Sequence, residues 1–335
     1  MATIEDVAKL TGLSRTTISR VINNHPYVSE EKRKLVLEAM EKLGYVPNSS
    51  ARSLRNQKTG ILALFIPRIT NPFFSELVEA TEIAAAEHGY QLIICQTRYS
   101  PEKELNYMNL LKTKQVDGVI LASIQNEWKQ LKPFLQYGPI VLCNEFDDCA
   151  NVPTVRLDQV YGGYIATKHL LEQGHTKIAY CSGGYQSNVA KSREIGFKKA
   201  LAEYKLTFDE RYAFRDAFHI ADGKRVFRQI MALSNRPTAV FTGSDEVAAG
   251  IISEALACGY HIPEHLAVVG FDNQAIAELT NPTITTVHQP VKQMAQKAVD
   301  VMIEKIQTKK YDVQEIYEFP LQLIVRASTV GSKLH

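Results

Sequence analysis

In the run Ser14-Arg15-Thr16-Thr17-Ile18-Ser19-Arg20-Val21-Ile22-Asn23, guanidinium groups, hydroxyls and an amide fall on one side of a helical repeat. Ile18, Val21 and Ile22 fall on the other. A guanidinium fork can bond both acceptors of a guanine edge, and threonine offers a methyl and a hydroxyl to a base. Serine hydroxyls and side-chain amides suit phosphate oxygens, which place a protein without reading sequence. Together this is the chemistry of a recognition helix laid in the DNA major groove.

Such a face needs a scaffold, and the flanking residues supply one. Ile4, Val7, Ala8 and Leu10 recur at helical spacing in a preceding helix, and Thr11-Gly12-Leu13 makes the turn, where Gly12 suits a left-handed backbone. Ser14 is placed to cap the second helix by accepting from an amide near Thr16 or Thr17. A third helix is expected over Glu30 to Leu43, with Leu35, Val36, Ala39, Met40 and Leu43 on its core side. Ser29 stands at its N-cap, and Glu30 and Glu31 sit at the positive end of its dipole. Residues 1–46 therefore read as an all-α helix-turn-helix domain. The charge agrees: residues 1–60 carry ten Lys/Arg against six Asp/Glu, or +4, while the other residues carry 28 against 30, or −2.

Residues 47–58 read as a basic linker. Pro47 stops the third helix, Asn48 can cap a short helix running to Leu54, and a helix of that length needs a partner to form. Leu54 is a lone large apolar residue in a basic setting, the type that wedges into a minor groove and unstacks a base step.

From residue 59 to about 330, β-branched runs alternate with helical patterns. The runs are Ile61–Ile66, Gln91–Cys95, Gly118–Ala122, Ile140–Cys143, Lys177–Cys181, Ala239–Phe241 and Ala267–Gly270. This is an α/β pattern, and its two blocks imply two Rossmann-like parallel-sheet lobes with a ligand cleft at the carboxyl ends of the strands. Crossings between lobes are expected near 160 and 290, with Tyr317 to Ile324 returning as one strand. The segments after strands supply the candidates: Phe73 and Phe74 offer aromatics, and Ser244-Asp245 and Asp272-Asn273 offer hydroxyl and carboxylate.

Other chemistries find no footing. No Gly-x-Gly-x-x-Gly follows a strand, no Gly-x-Ser-x-Gly occurs, and His169, His175 and His288 have no nucleophile partner, so no catalytic residue is assigned. Cys95, Cys143, Cys149, Cys181 and Cys258 lack metal-ligand spacing and read as reduced core residues; neither metal nor cofactor is expected. No signal segment opens the sequence and its apolar runs are of strand length, which implies a cytoplasmic protein with no membrane partner.

The ordered motifs carry a resemblance. Ala2-Thr3-Ile4-Glu5-Asp6-Val7-Ala8, the second helix, Val28-Ser29-Glu30-Glu31, Gly44-Tyr45-Val46-Pro47-Asn48 and Ala51-Arg52-Ser53-Leu54 lie in the first sixty residues. Thr70-Asn71-Pro72-Phe73-Phe74, Val116-Asp117-Gly118-Val119-Ile120, Arg193 with Gly196-Phe197, Val268-Val269-Gly270-Phe271-Asp272-Asn273 and Asn281-Pro282 through Gln289-Pro290 follow. In that order, over residues 2 to about 328, the chain resembles the LacI/GalR family of bacterial transcription regulators. The resemblance implies a helix-turn-helix domain joined by a hinge helix to a bilobed, periplasmic-binding-protein-like core.

It further implies that Arg15, Thr16 and Arg20 read base edges, that Tyr27 touches the operator, and that Leu54 enters the minor groove. Ser19, Asn23 and Ser29 are placed for phosphates. A homodimer on a near-palindromic operator follows, with an easily unstacked central step such as CpG. Effector contacts carried over by motif fall on Phe73, Phe74, Asp158, Arg193, Phe218, Ser244 and Asp272. Aromatic faces with Arg, Asp and hydroxyl partners suit a sugar or sugar phosphate. Ser187 and Val189 stand where nucleobase-binding relatives carry polar or cationic groups, which disfavours a purine. An alternative within the family is a catabolite-control regulator that needs a phosphocarrier protein as corepressor; Asp300 stands where that branch presents a basic contact. The residues after Ser328 hold no leucine heptad for a tetramer, so a dimer is expected.

Overall fold

Local capping explains where the first helices begin. Thr3 Oγ1 accepts from Asp6 N at 3.3 Å while Asp6 Oδ2 accepts from Thr3 N at 2.9 Å, a reciprocal box that opens α1 (Ile4–Thr11). Gly12, at φ +69°, ends it in the left-handed region. Ser14 Oγ then accepts from Thr17 N at 3.2 Å to start α2 (Arg15–Ile22). The third helix, α3 (Glu30–Leu43), ends at Gly44 with φ +58°.

The computed structural model describes residues 2–23, 25–46, 58–183 and 187–330. The chain divides into two compact units, Met1–Thr59 and Gly60–His335. The linker helix expected within 47–57, Leu54 included, lies outside the described residues.

In the first unit Val7, Ile18, Val21, Val36 and Ala39 form the core, with Ile4, Ala8, Leu13, Ile22, Met40 and Leu43 packed around it. Two expectations are corrected here. Leu10 and Leu35 are 46% and 43% exposed, because so small a core covers only a narrow stripe of each helix, and Leu35 is turned about 100° from Val36. Ser29 occupies the N-cap position of α3 but makes no side-chain capping bond.

Among the described residues, the second unit holds two six-stranded sheets. Along the first, the order is β2 (Gln91–Gln96), β1 (Ile61–Ile66), β3 (Gly118–Leu121), β4 (Ile140–Cys143), β5 (Thr154–Leu157) and β11 (Ile316–Phe319). Along the second it is β7 (Ala213–Phe214), β6 (Ile178–Cys181), β8 (Ala239–Thr242), β9 (Ala267–Asp272), β10 (Thr285–His288) and β12 (Gln322–Ile324). Pairing is parallel throughout except that β12 runs antiparallel to β10. The central strands β3, β4, β6, β8 and β9 are buried along their whole length and largely apolar, as parallel strands covered by helices on both faces must be.

The chain passes between lobes after β5 and after β10, near the expected positions, and once more between β11 and β12. The single strand expected over Tyr317 to Ile324 is thus two short strands in different sheets. Pro320 sits at the break, where it has no N–H to extend a ladder.

Close helix packing fixes the second lobe. A Cβ on Gly163 would come within 2.1 Å of Arg193 O, and one on Gly196 within 1.9 Å of Val160 O. Helices Gln159–Glu172 and Asn188–Glu203 therefore meet backbone to backbone, which only glycine allows. Cys95, Cys143 and Cys181 are buried, but Cys149 and Cys258 are exposed, correcting the reading of all five as core. Among the described residues no helix is long and apolar enough to cross a membrane, and no His/Cys/Asp/Glu cluster could hold a metal ion.

Candidate functional site

Two surfaces gather the sequence candidates. On α2, Arg15, Thr16 and Arg20 are exposed, as the open face of a surface helix whose other side holds Ile18 and Val21 in the core. Arg15 Nη2 is ion-paired with Glu5 Oε1 of α1. Asn23 Nδ2 donates to Ser19 O at 2.6 Å and to Ser19 Oγ at 3.3 Å, closing the end of α2. Tyr27 stands out at 90% exposure, its ring centroid 5.6 Å from that of His25. Ser29 is also exposed. All these side chains lie in one small unit held by one core.

The second surface is a cavity of about 660 Å³ between the lobes, at the carboxyl ends of the strands. Several helices begin at it. Asn71 Oδ1 caps the helix Pro72–Glu87 by accepting from Phe73 N at 3.0 Å; Ser187 caps Asn188–Glu203, and Ser244 caps Asp245–Ala257. Each cap brings backbone N–H groups and a positive helix end toward the space. Phe73 and Phe74 pack edge to face at 5.1 Å and, with Phe218, supply aromatic wall.

Arg193 and Asp272 form the polar floor. Arg193 Nε donates to Gln159 Oε1 at 2.7 Å, its Nη1 to Gly243 O at 3.0 Å, and the guanidinium lies 3.4 Å from the centroid of the Phe271 ring. Asp272 accepts from Gln289 Nε2 at 2.5 Å and from Gln274 Nε2 at 3.1 Å. Gln159 Nε2 links the two sides by donating to Gln289 Oε1 at 3.4 Å, making a chain Arg193–Gln159–Gln289–Asp272. Gln159 and Gln289 stand at the two expected crossings between lobes, so this chain of hydrogen bonds ties the floor to the crossover segments. Burial pushes Asp272 well above the usual carboxylate range, opposed by the Arg193 charge beside it. Burial likewise lowers Arg193, with Asp272 opposing.

Contacts close both flanks. Glu145, after β4, accepts from Ser187 Oγ at 2.5 Å, and Asn188 Nδ2 donates to Phe146 O at 2.8 Å. Opposite, Arg68 Nη1 meets His219 Nε2 at 2.9 Å, and the rings of Tyr99 and Phe218 lie 6.0 Å apart. Burial raises Glu145 to about 7, with the Ser187 hydrogen bond opposing that rise. Asn144 Oδ1 is buried at the cavity with no hydrogen-bond partner among the described residues. It is an acceptor awaiting a donor.

The cavity gathers Phe73, Phe74, Arg193, Phe218, Ser244 and Asp272. Asp158 is not among its lining residues: it is exposed, and its carboxylate turns back to cap the helix Gln159–Glu172 by accepting from Tyr161 N at 2.8 Å. That corrects its place among the ligand contacts. Sequence reasoning missed Asn144 and Glu145, although both directly follow a strand, the signal that found Ser244 and Asp272. It also missed Gln159 and Gln289, which no local pattern distinguishes from surface amides. The two residues weighed against a purine, Ser187 and Val189, both line the cavity, and the Ser187 hydroxyl is engaged by Glu145. Asp300 is held by His88 Nε2 at 3.1 Å on the helix Val291–Thr308.

The sequence pattern described as "Bacterial regulatory proteins, lacI family" matches residues 3–48, and that of a periplasmic binding protein-like domain matches residues 167–329. The NTD biosynthesis operon regulator NtdR of Bacillus subtilis (strain 168) is 45% identical over 329 residues, covering 98% of this chain and all of that one. A structure of the transcriptional regulator CelR in complex with cellobiose is 29% identical, with a TM-score of 0.73, over 98% of this chain and all of that one. The lac repressor dimer bound to operator and the anti-inducer ONPF shares the fold at a TM-score of 0.86, with 23% identity over 98% of this chain and 99% of that one.

Proposed function

Because the chain belongs to the lacI family of bacterial regulatory proteins, and is thus a DNA-binding transcriptional regulator, we propose that it represses transcription as a homodimer on a near-palindromic operator and is switched by a carbohydrate in the interlobe cavity. Arg15, Thr16 and Arg20 read base edges, Ser19, Asn23 and Ser29 meet phosphates, and Tyr27 touches the operator beside them. Leu54 of each protomer enters the minor groove at a central step that unstacks easily.

The observation that carries the ligand assignment is the Arg193–Asp272 floor. A desolvated hydroxyl needs both a donor and an acceptor, and that floor offers them side by side beneath aromatic walls that cover the C–H faces of a sugar ring. Asn144 adds a further acceptor. The sugar draws on groups from both lobes, so its binding energy favours one lobe arrangement. The Gln159–Gln289 bridge passes that preference to the crossover segments. A coupling of about 1–3 kcal/mol would change operator affinity roughly 5- to 150-fold.

Selection of bound sequences from random duplex DNA, followed by titration of the enriched site at fixed salt with a panel of sugars and sugar phosphates, tests this reading. A symmetric site whose affinity one sugar changes supports it, and the direction of change gives the sign of the switch. A symmetric site indifferent to every carbohydrate overturns the ligand assignment. Binding that appears only with a phosphorylated carrier protein replaces it with corepression by that protein.

A further inference from the structure

We propose that Glu5 is a specificity-determining residue of the DNA-reading face, and that the Glu5–Arg15 ion pair reads one G·C base pair as a unit. The inference rests on the assignment of α2 to the major groove. Arg15 is the first residue of α2, the end of a recognition helix that meets base edges. Glu5 lies in the first turn of α1, which the Thr3–Asp6 box fixes. The pairing therefore joins two rigid helix starts across the Gly12 turn.

Its energetic role is orientation. The two side chains are 60% and 55% exposed, and ion pairs so open to water add little to stability. They do restrict a long arginine side chain, whose rotamer freedom would otherwise be lost only on binding DNA. A guanidinium carries five N–H donors and a carboxylate two acceptor oxygens, so an ion pair between them leaves both groups hydrogen-bonding capacity for the duplex.

The pattern so presented is donor, donor, acceptor. In the major groove a G·C pair shows the reverse: guanine N7 and O6 accept, and cytosine N4 donates. Arg15 takes the guanine acceptors and Glu5 takes the cytosine amino group. An A·T pair shows acceptor, donor, acceptor, which sets an Arg15 donor against the adenine amino group and the Glu5 carboxylate against thymine O4. Glu5 thus selects by repulsion as well as attraction. A carboxylate at this face also repels phosphates, so it weakens sequence-independent binding.

The test is selection from random duplex DNA, then competition titration at fixed salt, with the full chain and its Glu5→Ala, Glu5→Gln and Arg15→Ala variants. In Glu5→Ala the preference for G·C at one position of each half-site should fall about 5- to 150-fold, the other positions should hold, and binding to unrelated duplex should stay level or tighten. Glu5→Gln, which keeps the shape and an acceptor oxygen, should lose the same preference to a smaller degree. A merely structural defect would weaken every position together, and that result overturns the proposal. So does a Glu5→Ala variant that retains the G·C preference which Arg15→Ala erases. If Arg15→Ala leaves every position unchanged, the groove assignment of α2 fails and takes this inference with it.

Discussion

Single residues at the cavity carry opposed demands of burial and charge. Asp272→Asn keeps an acceptor oxygen for Gln289 but gives up the charge. We expect the fold to persist and sugar affinity to fall roughly 10- to 100-fold, as loss of a hydrogen bond to a charged group of about 1.5–3 kcal/mol implies; isothermal titration calorimetry reads it. Glu145 supplies a pH signature. Its pKa is about 7 in the folded protein, above the unfolded value near 4.3, so the folded state holds a proton that the unfolded state releases. Its contribution to stability is complete below about pH 4.3 and is lost as pH rises through about 7. Thermal melts between these values should show the wild type losing stability with rising pH more steeply than Glu145→Gln. Parallel curves would show that Glu145 does not titrate in this window.

Among the elements, the helix pair Gln159–Glu172 and Asn188–Glu203 supports the cavity floor, since one supplies Gln159 and the other Arg193. The pair meets at Gly163, where an added Cβ would lie 2.1 Å from Arg193 O. Gly163→Ala must push the helices apart and should cost about 1–3 kcal/mol in urea unfolding. It should also weaken sugar binding, because the displaced backbone is that of Arg193 itself. In the first unit, Ser14→Ala removes the cap of α2 and should cost about 1 kcal/mol. Ser29→Ala should cost far less, since Ser29 makes no capping bond. Equal losses at the two serines would contradict the capping geometry.

For the molecule as a whole, the proposed switch requires that the DNA-reading unit and the unit that holds the cavity communicate through the linker. Leu54→Ala should leave both units folded and abolish most of the preference for the selected operator, while salt-dependent binding to unrelated DNA persists. Equal loss of both would remove the wedge. Light scattering of the free protein should give the mass of a dimer, and a stable tetramer would overturn that expectation.

Much was legible in the chain itself because it is written locally. Helix period, caps and the Gly12 turn placed α1, α2 and α3, and alternation of buried strands with helices placed two parallel sheets. The strand-end rule and the family resemblance brought Phe73, Phe74, Arg193, Phe218, Ser244 and Asp272 to one list, and all of them line one cavity. Tertiary structure alone decided what depends on distant partners. Pairing with β5 and β10 split the final strand into two sheets. Asp158 is the exception, a local miss, since its carboxylate caps the helix that starts at the next residue. Only the meeting of chain segments 130 residues apart buried Gln159 against Gln289 and so joined the cavity floor to the crossings between lobes. Periodicity and capping are short-range and leave a mark in neighbouring residues, whereas the partner of a buried polar group is fixed by the fold, and neither glutamine carries any local sign of the other.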